Sequence, residues 1–242
     1  DGFDLSIRSD VPAGSGLGGS STMIVSMIGA MVNWLDVDMS KMEMAGLAYH
    51  LEREVIGLKG GKQDQYAAVF GGFNSIKIDK NGLAILPARI PQDIINELQC
   101  RSVVCFTGMT HDSASIIGTQ IKSYKEGKND EALDKAKEIA IRMRTALRHG
   151  DIDEAGRLLG ESWEFKKKFS DKVSNSEIDN LYDLAMRNGA IGGKVSGAGG
   201  GGFMYFITKY DKKPQLSKIL QDAGAQVTDI QFEPEGVISW RS

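Results

Sequence analysis

Residues 11–22 read Val11-Pro12-Ala13-Gly14-Ser15-Gly16-Leu17-Gly18-Gly19-Ser20-Ser21-Thr22 and lead into the mostly apolar run Met23-Ile24-Val25-Ser26-Met27-Ile28-Gly29-Ala30-Met31. Four of the six residues from 14 to 19 are glycines, which allow positive φ and a close approach of the backbone to a ligand. A serine or threonine can cap the helix that follows. The unpaired N–H groups of its first turn, together with the helix dipole, attract an anion. The stretch therefore predicts a phosphate-binding loop that opens a buried helix.

A flexible turn rich in glycine and serine is the alternative interpretation, because glycine-rich motifs also occur without a ligand. The stretch lacks the Gly-Lys-Ser/Thr ending of a Walker loop. A second glycine-rich stretch lies near the other end of the chain, where residues 189–202 contain eight glycines. It leads directly into the apolar run of residues 203–207, which favours a loop held close to another group over a low-complexity linker.

The composition excludes several classes of partner. The 242 residues carry a formal net charge of −3, and 25% of them are charged, so no charge excess points to nucleic acid or to a membrane surface. No apolar run reaches the roughly 18 residues that a membrane span needs. If residues 99–106 form one strand, Cys100 and Cys105 point to opposite faces, which argues against a disulfide. We therefore expect a cytoplasmic protein without a nucleic-acid or membrane partner.

Local patterns predict the remaining elements. Residues 3–9 alternate between apolar and polar side chains, which predicts a half-buried strand. Ser40 and Glu43 have the spacing of a capping box, which predicts a helix that continues to about Val55. The turn of residues 79–82 predicts a hairpin between strands at 73–78 and 83–86. Apolar runs and amphipathic periodicity further predict strands at 101–107, 204–207, 225–232 and 236–240, and helices at 129–149, 151–169, 176–188 and 215–223. Because these elements do not follow a strict βαβα repeat, they favour an α+β fold.

Three acidic residues occupy unusual positions. Glu52 and Glu54 lie near the C-terminal end of a predicted helix, where the dipole disfavours carboxylates and a bound cation would compensate. Two solvated surface glutamates are the alternative, which we retain for Glu54 with a lysine as its partner. Asp64 follows the glycine-rich residues 57–61 and stands at the start of a short predicted helix. Its alternative role is an N-cap.

Three of these stretches together resemble the GHMP small-molecule kinases. The pattern Pro12-x-x-x-Gly16-Leu17-Gly18-x-Ser20-Ser21 resembles the second motif of that family, and Lys194-Val195-Ser196-Gly197-Ala198-Gly199-Gly200-Gly201-Gly202-Phe203 resembles the third. The segments Glu52-Arg53-Glu54-Val55-Ile56-Gly57 and Gly61-Lys62-Gln63-Asp64-Gln65 resemble its metal-ligand helix and catalytic aspartate. Three matches in the same order are far more specific than any single one.

Within the family the chain is most similar to the bacterial heptose kinases. The similarity is carried by residues 60–72, 161–167 and 173–179 and extends over nearly the whole chain. It implies an ATP-dependent sugar kinase that transfers the γ-phosphate to the anomeric hydroxyl of D-glycero-D-manno-heptose 7-phosphate. The alternatives are a GHMP kinase for another acceptor (fucose, another sugar or mevalonate), a non-catalytic sugar sensor of the same fold, and a structural domain with accidental glycine loops.

The resemblance also implies the domain organisation. It predicts an N-terminal, ATP-binding domain like domain 2 of ribosomal protein S5 over residues 1–88 and a ferredoxin-like C-terminal domain over residues 89–242, with the active site between them. The first motif of the family lies well upstream of the glycine loop, whereas here the loop begins about ten residues into the chain. We therefore expect an N-terminal segment to be missing and the first domain to be incomplete.

Site roles follow from the resemblance residue by residue. It implies that the loop from Pro12 to Ser21 holds the ATP phosphates and that Ser20 and Glu52 bind Mg²⁺. Asp64 is expected to orient or deprotonate the acceptor hydroxyl, and Lys62 to stabilise charge there. Retention of Ser20, Glu52 and Asp64 together argues against a sensor.

The C-terminal part is expected to complete the substrate site. The resemblance implies that Gly197, Ala198, Gly199 and Gly200 close over the transferring phosphate and the sugar. His111 is a candidate for the substrate phosphate, with a structural histidine as the alternative, and the resemblance implies that an arginine is more usual at that position. It places Lys166 and Lys167 beside the sugar, where a contact with the 7-phosphate competes with a solvated face as their role. The implied partners are a sugar phosphate and ATP, and the resemblance also allows a homodimer.

Overall fold

A computed structural model describes residues 2–109 and 113–241, whose elements fall into two groups along the chain. The first group contains helices α1 (Gly19–Trp34), α2 (Lys41–Tyr49) and α3 (Gln63–Phe70), with a π-helical segment (His50–Val55) that continues α2. It ends with the antiparallel hairpin of β1 (Asn74–Asp79) and β2 (Gly82–Pro87). Apolar side chains from all three α-helices fill its core.

The second group is built on a four-stranded antiparallel sheet. Its elements are α4 (Gln92–Arg101), β3 (Ser102–Phe106), α5 (Ser113–Lys125), α6 (Asp130–His149), α7 (Ile152–Lys167), α8 (Ser176–Arg187), β4 (Ala190–Val195), β5 (Phe203–Thr208), α9 (Lys213–Asp222) and β6 (Gln226–Thr228). The strand order is β4-β5-β3-β6. A β-α-β-β-α-β succession with antiparallel pairing is the ferredoxin-like arrangement. Together with the first group it confirms the predicted α+β class.

The sheet has an apolar core on each face. Met204 and Phe206 of β5 pack with Trp163 on one face, and Ile207 packs with Leu158 on the other. Trp163 is fully buried. None of the helices in the two described ranges is long and apolar enough to cross a lipid bilayer.

Several predicted elements are wrong at the ends of the chain. Residues 3–9 form no strand, and Phe3 and Ile7 remain about half exposed. An alternation of apolar and polar side chains produces a strand only where another strand supplies hydrogen bonds. No described residue forms a strand pair with residues 3–9. Residues 236–240 are also not a strand; Val237 instead packs against Gly29 of α1.

Two further differences have local causes. Cys100 lies in α4 rather than on one strand with Cys105, although both thiols are free as expected. Six of the fourteen residues of the glycine-rich stretch 189–202 form β4. There, Gly192 packs so closely on α7 that a side chain would overlap the carbonyl oxygen of Gly156. Residues 88–91 connect β2 to α4, and the domain boundary at residue 88 stays a prediction.

Candidate active site

Two glycine loops contact each other in the structure: the first glycine loop (residues 12–21) and the second glycine loop (residues 196–202). A Cβ placed on Gly16 would lie 2.9 Å from the carbonyl oxygen of Ser196, and one on Gly197 would lie 2.7 Å from the Cα of Gly16. The backbone N–H of Phe203 donates to the carbonyl oxygen of Ser15 at 3.2 Å. Backbone packing this close requires glycine on both sides. The two motifs, 180 residues apart in the sequence, therefore form one surface.

The first glycine loop leads into the N-terminus of α1. Gly14, Gly16 and Gly18 have φ values of 74°, 77° and 74°, which turn the backbone sharply before the helix. No side chain caps α1, and its first turn contains no acidic residue. The N–H groups of that turn, together with the positive end of the helix dipole, are consequently available to an anion.

Asp64 lies beside this loop. A Cβ placed on Gly18 would lie 3.4 Å from the Cβ of Asp64 and 3.8 Å from its Oδ1. The alternative role as an N-cap is wrong, because α3 begins at Gln63 and its N-cap residue is Lys62. Asp64 thus lies in the first turn of α3, beside the first glycine loop.

Burial raises the pKa of Asp64 above its usual value. A hydrogen bond from the Gln63 side chain and the positive charge of Arg53 oppose this rise, while the negative charge of Glu52 adds to it. A desolvated carboxylate with a raised pKa accepts a proton more readily than an exposed one. The role of Asp64 as the residue that orients or deprotonates the acceptor stays a prediction.

Glu52 is buried, with only 1% of its surface exposed. Its Oε2 accepts hydrogen bonds from the Ser21 hydroxyl at 2.7 Å and from the Gln65 amide at 2.5 Å. Its Oε1 lies 3.5 Å from the Arg53 guanidinium. The solvated alternative is therefore wrong for Glu52. Glu54 does stay on the surface, but its partner is His50, at 2.7 Å, rather than a lysine.

The chemistry of these groups fits a magnesium ion that also binds a nucleotide. Both hydrogen bonds to Glu52 go to Oε2, whereas Oε1 lies 3.5 Å from the Arg53 guanidinium. Ser20, which precedes Ser21 in the chain, is exposed. No group of three or more His, Cys, Asp or Glu residues capable of holding a metal occurs in residues 2–109 and 113–241. Mg²⁺ commonly takes one or two protein oxygens and completes its shell with phosphate and water. Ser20 and Glu52 as its ligands stay a prediction.

Arg53 was missed by the sequence analysis. Its guanidinium donates hydrogen bonds to the carbonyl oxygens of Leu58, Lys59 and Gly61 at 3.4, 3.3 and 3.3 Å. A side chain on Gly60 would collide with this guanidinium. Arg53 thereby holds the loop that carries the chain to Asp64. A single arginine near a helix end gives no sequence signal for such a role.

The other predicted residues are placed as follows. The Lys62 ammonium lies 4.6 Å from the centre of the Tyr49 ring, so its role at the reacting oxygen stays a prediction. The Ala198 carbonyl accepts a hydrogen bond from Gln120 at 3.0 Å, and the Gly200 N–H donates to the Val173 carbonyl at 2.7 Å.

Gly199 also packs against Val173, where its φ of 104° and the nearby backbone leave no room for a side chain. His111 lies outside the described residues. Of the two lysines assigned to a solvated face or a phosphate contact, Lys167 pairs with Glu164 at 2.9 Å. Lys166 instead bonds to the backbone of the second glycine loop, so the solvated-face alternative is wrong for it.

Comparison with known proteins identifies the family. The model of the GHMP kinases N-terminal domain matches residues 1–72, and that of the GHMP kinases C-terminal domain matches residues 143–226. The chain is 45% identical over 240 residues to D-glycero-α-D-manno-heptose 7-phosphate kinase of Campylobacter jejuni, covering 99% of this chain and 71% of that protein. This chain belongs to the GHMP kinase family. The predicted family is thereby confirmed.

One solved structure and a second sequence relative agree with this assignment. A crystal structure of a D-glycero-D-manno-heptose 1-phosphate kinase from Bacteroides thetaiotaomicron superposes with a TM-score of 0.77 at 37% identity, covering 96% of this chain and 66% of that one. A mevalonate kinase of Pyrococcus horikoshii is 33% identical over 249 residues, covering 98% of this chain and 68% of that protein. The chain thus spans about two thirds of the length of these GHMP kinases.

Replacing the two neighbouring serines of the first glycine loop should separate metal binding from structural support. Ser20→Ala is expected to raise the Mg²⁺ concentration that gives half-maximal rate about tenfold, because one oxygen ligand is removed. Ser21→Ala is expected to lower the melting temperature instead, because the buried Glu52 carboxylate loses a hydrogen bond worth about 1–3 kcal/mol. Magnesium titrations and thermal unfolding of both variants measure these effects. An unchanged magnesium titration of Ser20→Ala would show that Ser20 does not bind the metal.

Proposed function

We propose that this GHMP kinase uses ATP and Mg²⁺ to phosphorylate the anomeric hydroxyl of D-glycero-D-manno-heptose 7-phosphate, giving the 1,7-bisphosphate. The observation that carries the proposal is the 45% identity, over 99% of the chain, to a kinase named for this sugar phosphate. The position of Asp64 beside Gly18 supports it. The residues that hold the phosphate donor and those that hold the acceptor hydroxyl must be neighbours for the phosphate to be transferred.

The residues of this chain have separable tasks in the transfer. The first glycine loop binds the ATP phosphates through the N–H groups at the start of α1, and the second glycine loop packs against it through Gly197. Glu52, whose carboxylate is fixed by hydrogen bonds from Ser21 and Gln65, would hold the cation together with the Ser20 hydroxyl. When bound, Mg²⁺ neutralises charge on the phosphate oxygens. Phosphoryl transfer depends mainly on this positioning and electrostatic stabilisation.

Asp64 acts on the acceptor. Its carboxylate accepts a hydrogen bond from the anomeric hydroxyl and aligns that oxygen with the phosphorus. In a loose transition state the proton leaves the hydroxyl late, and Asp64 receives it on a carboxylate oxygen. The raised pKa of Asp64 suits this role, because a stronger base gains more from accepting the proton. Arg53 keeps the preceding loop, and with it the start of α3, in place.

Phosphorylation of another acceptor is the second candidate function. The 33% identity to a mevalonate kinase over 98% of the chain supports mevalonate, and a bifunctional fucokinase of Arabidopsis thaliana at 28% identity supports fucose. A non-catalytic sensor is disfavoured, because a buried Glu52 beside a desolvated Asp64 is costly to maintain without a reaction. A cytoplasmic location and a homodimer belong to the proposal as well.

A substrate panel tests the proposal. The complete protein is assayed with ATP and Mg²⁺ by coupled ADP detection on heptose 7-phosphate, heptose 1-phosphate, unphosphorylated heptose, fucose, galactose and mevalonate. We expect kcat/KM for heptose 7-phosphate to exceed every other value at least about 100-fold, as a site built for polar groups discriminates strongly. Phosphorus NMR should show a new anomeric phosphate. A preference for any other acceptor would overturn the proposed substrate.

A further inference from the structure

Gln65 is a buried polar residue whose two amide atoms have different environments. None of its surface is exposed. Its Nε2 donates a hydrogen bond to Oε2 of Glu52 at 2.5 Å, whereas its Oε1 has no hydrogen-bond partner among residues 2–109 and 113–241. The orientation of the amide is fixed, because the reverse orientation would bring two acceptor oxygens together.

A glutamine at this position is costly for stability. A buried acceptor that receives no hydrogen bond lowers the stability of the folded state. A methionine of similar length would fill the same space without an unpaired oxygen. The hydrogen bond to Glu52 is therefore the property of Gln65 that an apolar side chain could not supply.

This hydrogen bond brings three elements to a single carboxylate oxygen. Ser21, in the first turn of α1, donates to the same Oε2 at 2.7 Å. Glu52 itself belongs to the π-helical segment, and Gln65 lies in the first turn of α3. The end of α1 that follows the first glycine loop and the start of α3 are thus tied to one side chain.

The start of α3 also carries Asp64, the residue before Gln65. The Cβ of Asp64 lies 3.4 Å from the position that a Cβ on Gly18 would take. Adjacent residues of one helical turn do not move independently, so a shift of Gln65 also displaces Asp64. A displacement of roughly 1 Å at a reacting group can lower the rate about 100-fold.

We propose that Gln65 is a positioning residue that joins the carboxylate of Glu52 to the helical turn carrying Asp64. It fixes the orientation of Glu52 for the cation and the position of Asp64 for the acceptor hydroxyl at the same time. The inference rests on the proposed function, in which Glu52 holds the cation and Asp64 acts on the acceptor. Cation binding and acceptor orientation are then coupled through one amide.

Cation binding without an acceptor is the first test. It compares Gln65→Met with Gln92→Met, the same substitution at an exposed residue of α4 whose amide bonds to Asn96 at 2.9 Å. Electron paramagnetic resonance measures the Kd of Mn²⁺ in the presence of ADP. Gln65→Met should weaken Mn²⁺ about 10–100-fold, the usual effect of removing a hydrogen-bond partner from a metal ligand. Equal Mn²⁺ affinity in the two variants would overturn the proposal.

Turnover at saturating Mg²⁺ tests the link to Asp64. Under these conditions kcat of Gln65→Met should still be lowered about 10–100-fold, because Asp64 is displaced. Adding this substitution to Asp64→Asn should lower kcat no further, since the effects of residues that act as a unit are not additive. Full recovery of kcat at saturating Mg²⁺, or independent losses in the double variant, would contradict the link.

Thermal unfolding separates positioning from structural support. In ligand-free Gln65→Met, loss of the hydrogen bond to Glu52 and removal of the unpaired oxygen oppose each other, so the melting temperature should change little. A large fall in melting temperature with unchanged kcat would show a structural role and overturn the proposal. If Gln65→Met does not fold, Gln65→Asn replaces it; its shorter amide stays polar but withdraws from Glu52, and the same losses are expected.

Failure of the proposed function remains distinguishable from failure of this inference. If the unmodified protein phosphorylates no acceptor of the substrate panel, the proposed function is wrong. The Mn²⁺ measurement needs no acceptor, so it still tests the link between Gln65 and the cation site. Weaker Mn²⁺ binding by Gln65→Met but not by Gln92→Met supports the link, and equal binding overturns it.

Discussion

Replacing Asp64 with asparagine is expected to lower kcat by about 10²–10⁴-fold, the usual contribution of a positioned general base. Asparagine keeps the size of the side chain beside Gly18. Its amide, however, cannot accept the proton of the acceptor hydroxyl, and it lacks the negative charge that aligns this hydroxyl. Because the proposed ATP site is the first glycine loop and not Asp64, the Kd of ATP should stay within about threefold of the unmodified value, a small difference in free energy. Steady-state kinetics and calorimetry with ATP measure the two quantities.

Glu54→Gln is the matched control for this variant. Glu54 lies on the same π-helical segment as Glu52, but it is exposed, and its one ion-pair partner among residues 2–109 and 113–241 is His50. Its replacement removes one negative charge near the site without touching the glycine loops, so turnover should be unchanged. Turnover of Asp64→Asn equal to that of the control would remove Asp64 from the mechanism.

The pH dependence of the unmodified enzyme should reflect the environment of Asp64. Activity requires the ionised carboxylate, and burial raises the pKa of Asp64. As the pH falls, kcat/KM should therefore decline at a higher pH than the ordinary aspartate value of about 3.9 would give. This acid limb should be absent from the residual activity of Asp64→Asn.

Replacing Gly197 with alanine is expected to lower kcat/KM by at least about 100-fold, the cost of misplacing reacting groups by roughly 1 Å. The new Cβ would lie 2.7 Å from both the Cα and the carbonyl oxygen of Gly16, and the φ of Gly197 is 65°. Both contacts are with backbone, so no side chain can move aside. The two glycine loops must separate, and the melting temperature should fall with activity.

Gly46→Ala provides the control for added bulk. Gly46 lies within α2, and apart from the surrounding helix backbone no heavy atom of the described residues lies within 4 Å of the position its Cβ would take. Alanine there should stabilise the helix by up to about 1 kcal/mol and leave kinetics unchanged. If Gly197→Ala is as active as Gly46→Ala, contact between the glycine loops is not needed for catalysis.

Elements specified by neighbouring residues were predicted well. The capping box of Ser40 and Glu43 and the hairpin turn at residues 79–82 both occur as expected, because each depends on groups a few residues apart. The predicted strand at residues 3–9 is wrong, because a strand depends on a partner that its own sequence does not specify. The helix predicted to reach Val55 changes to a π-helix after Tyr49, which periodicity did not reveal.

The sequence by itself indicated where the backbone turns sharply or comes close to another group, because glycine at residues 16, 18 and 197 allows both. It also determined the family, through the order of three motifs. Tertiary structure alone decided that Ser21 and Gln65 hold Glu52 and that Lys166 turns to the second glycine loop while Lys167 pairs with Glu164. Burial and partner choice depend on contacts between distant residues, and a side chain's chemical role depends on both.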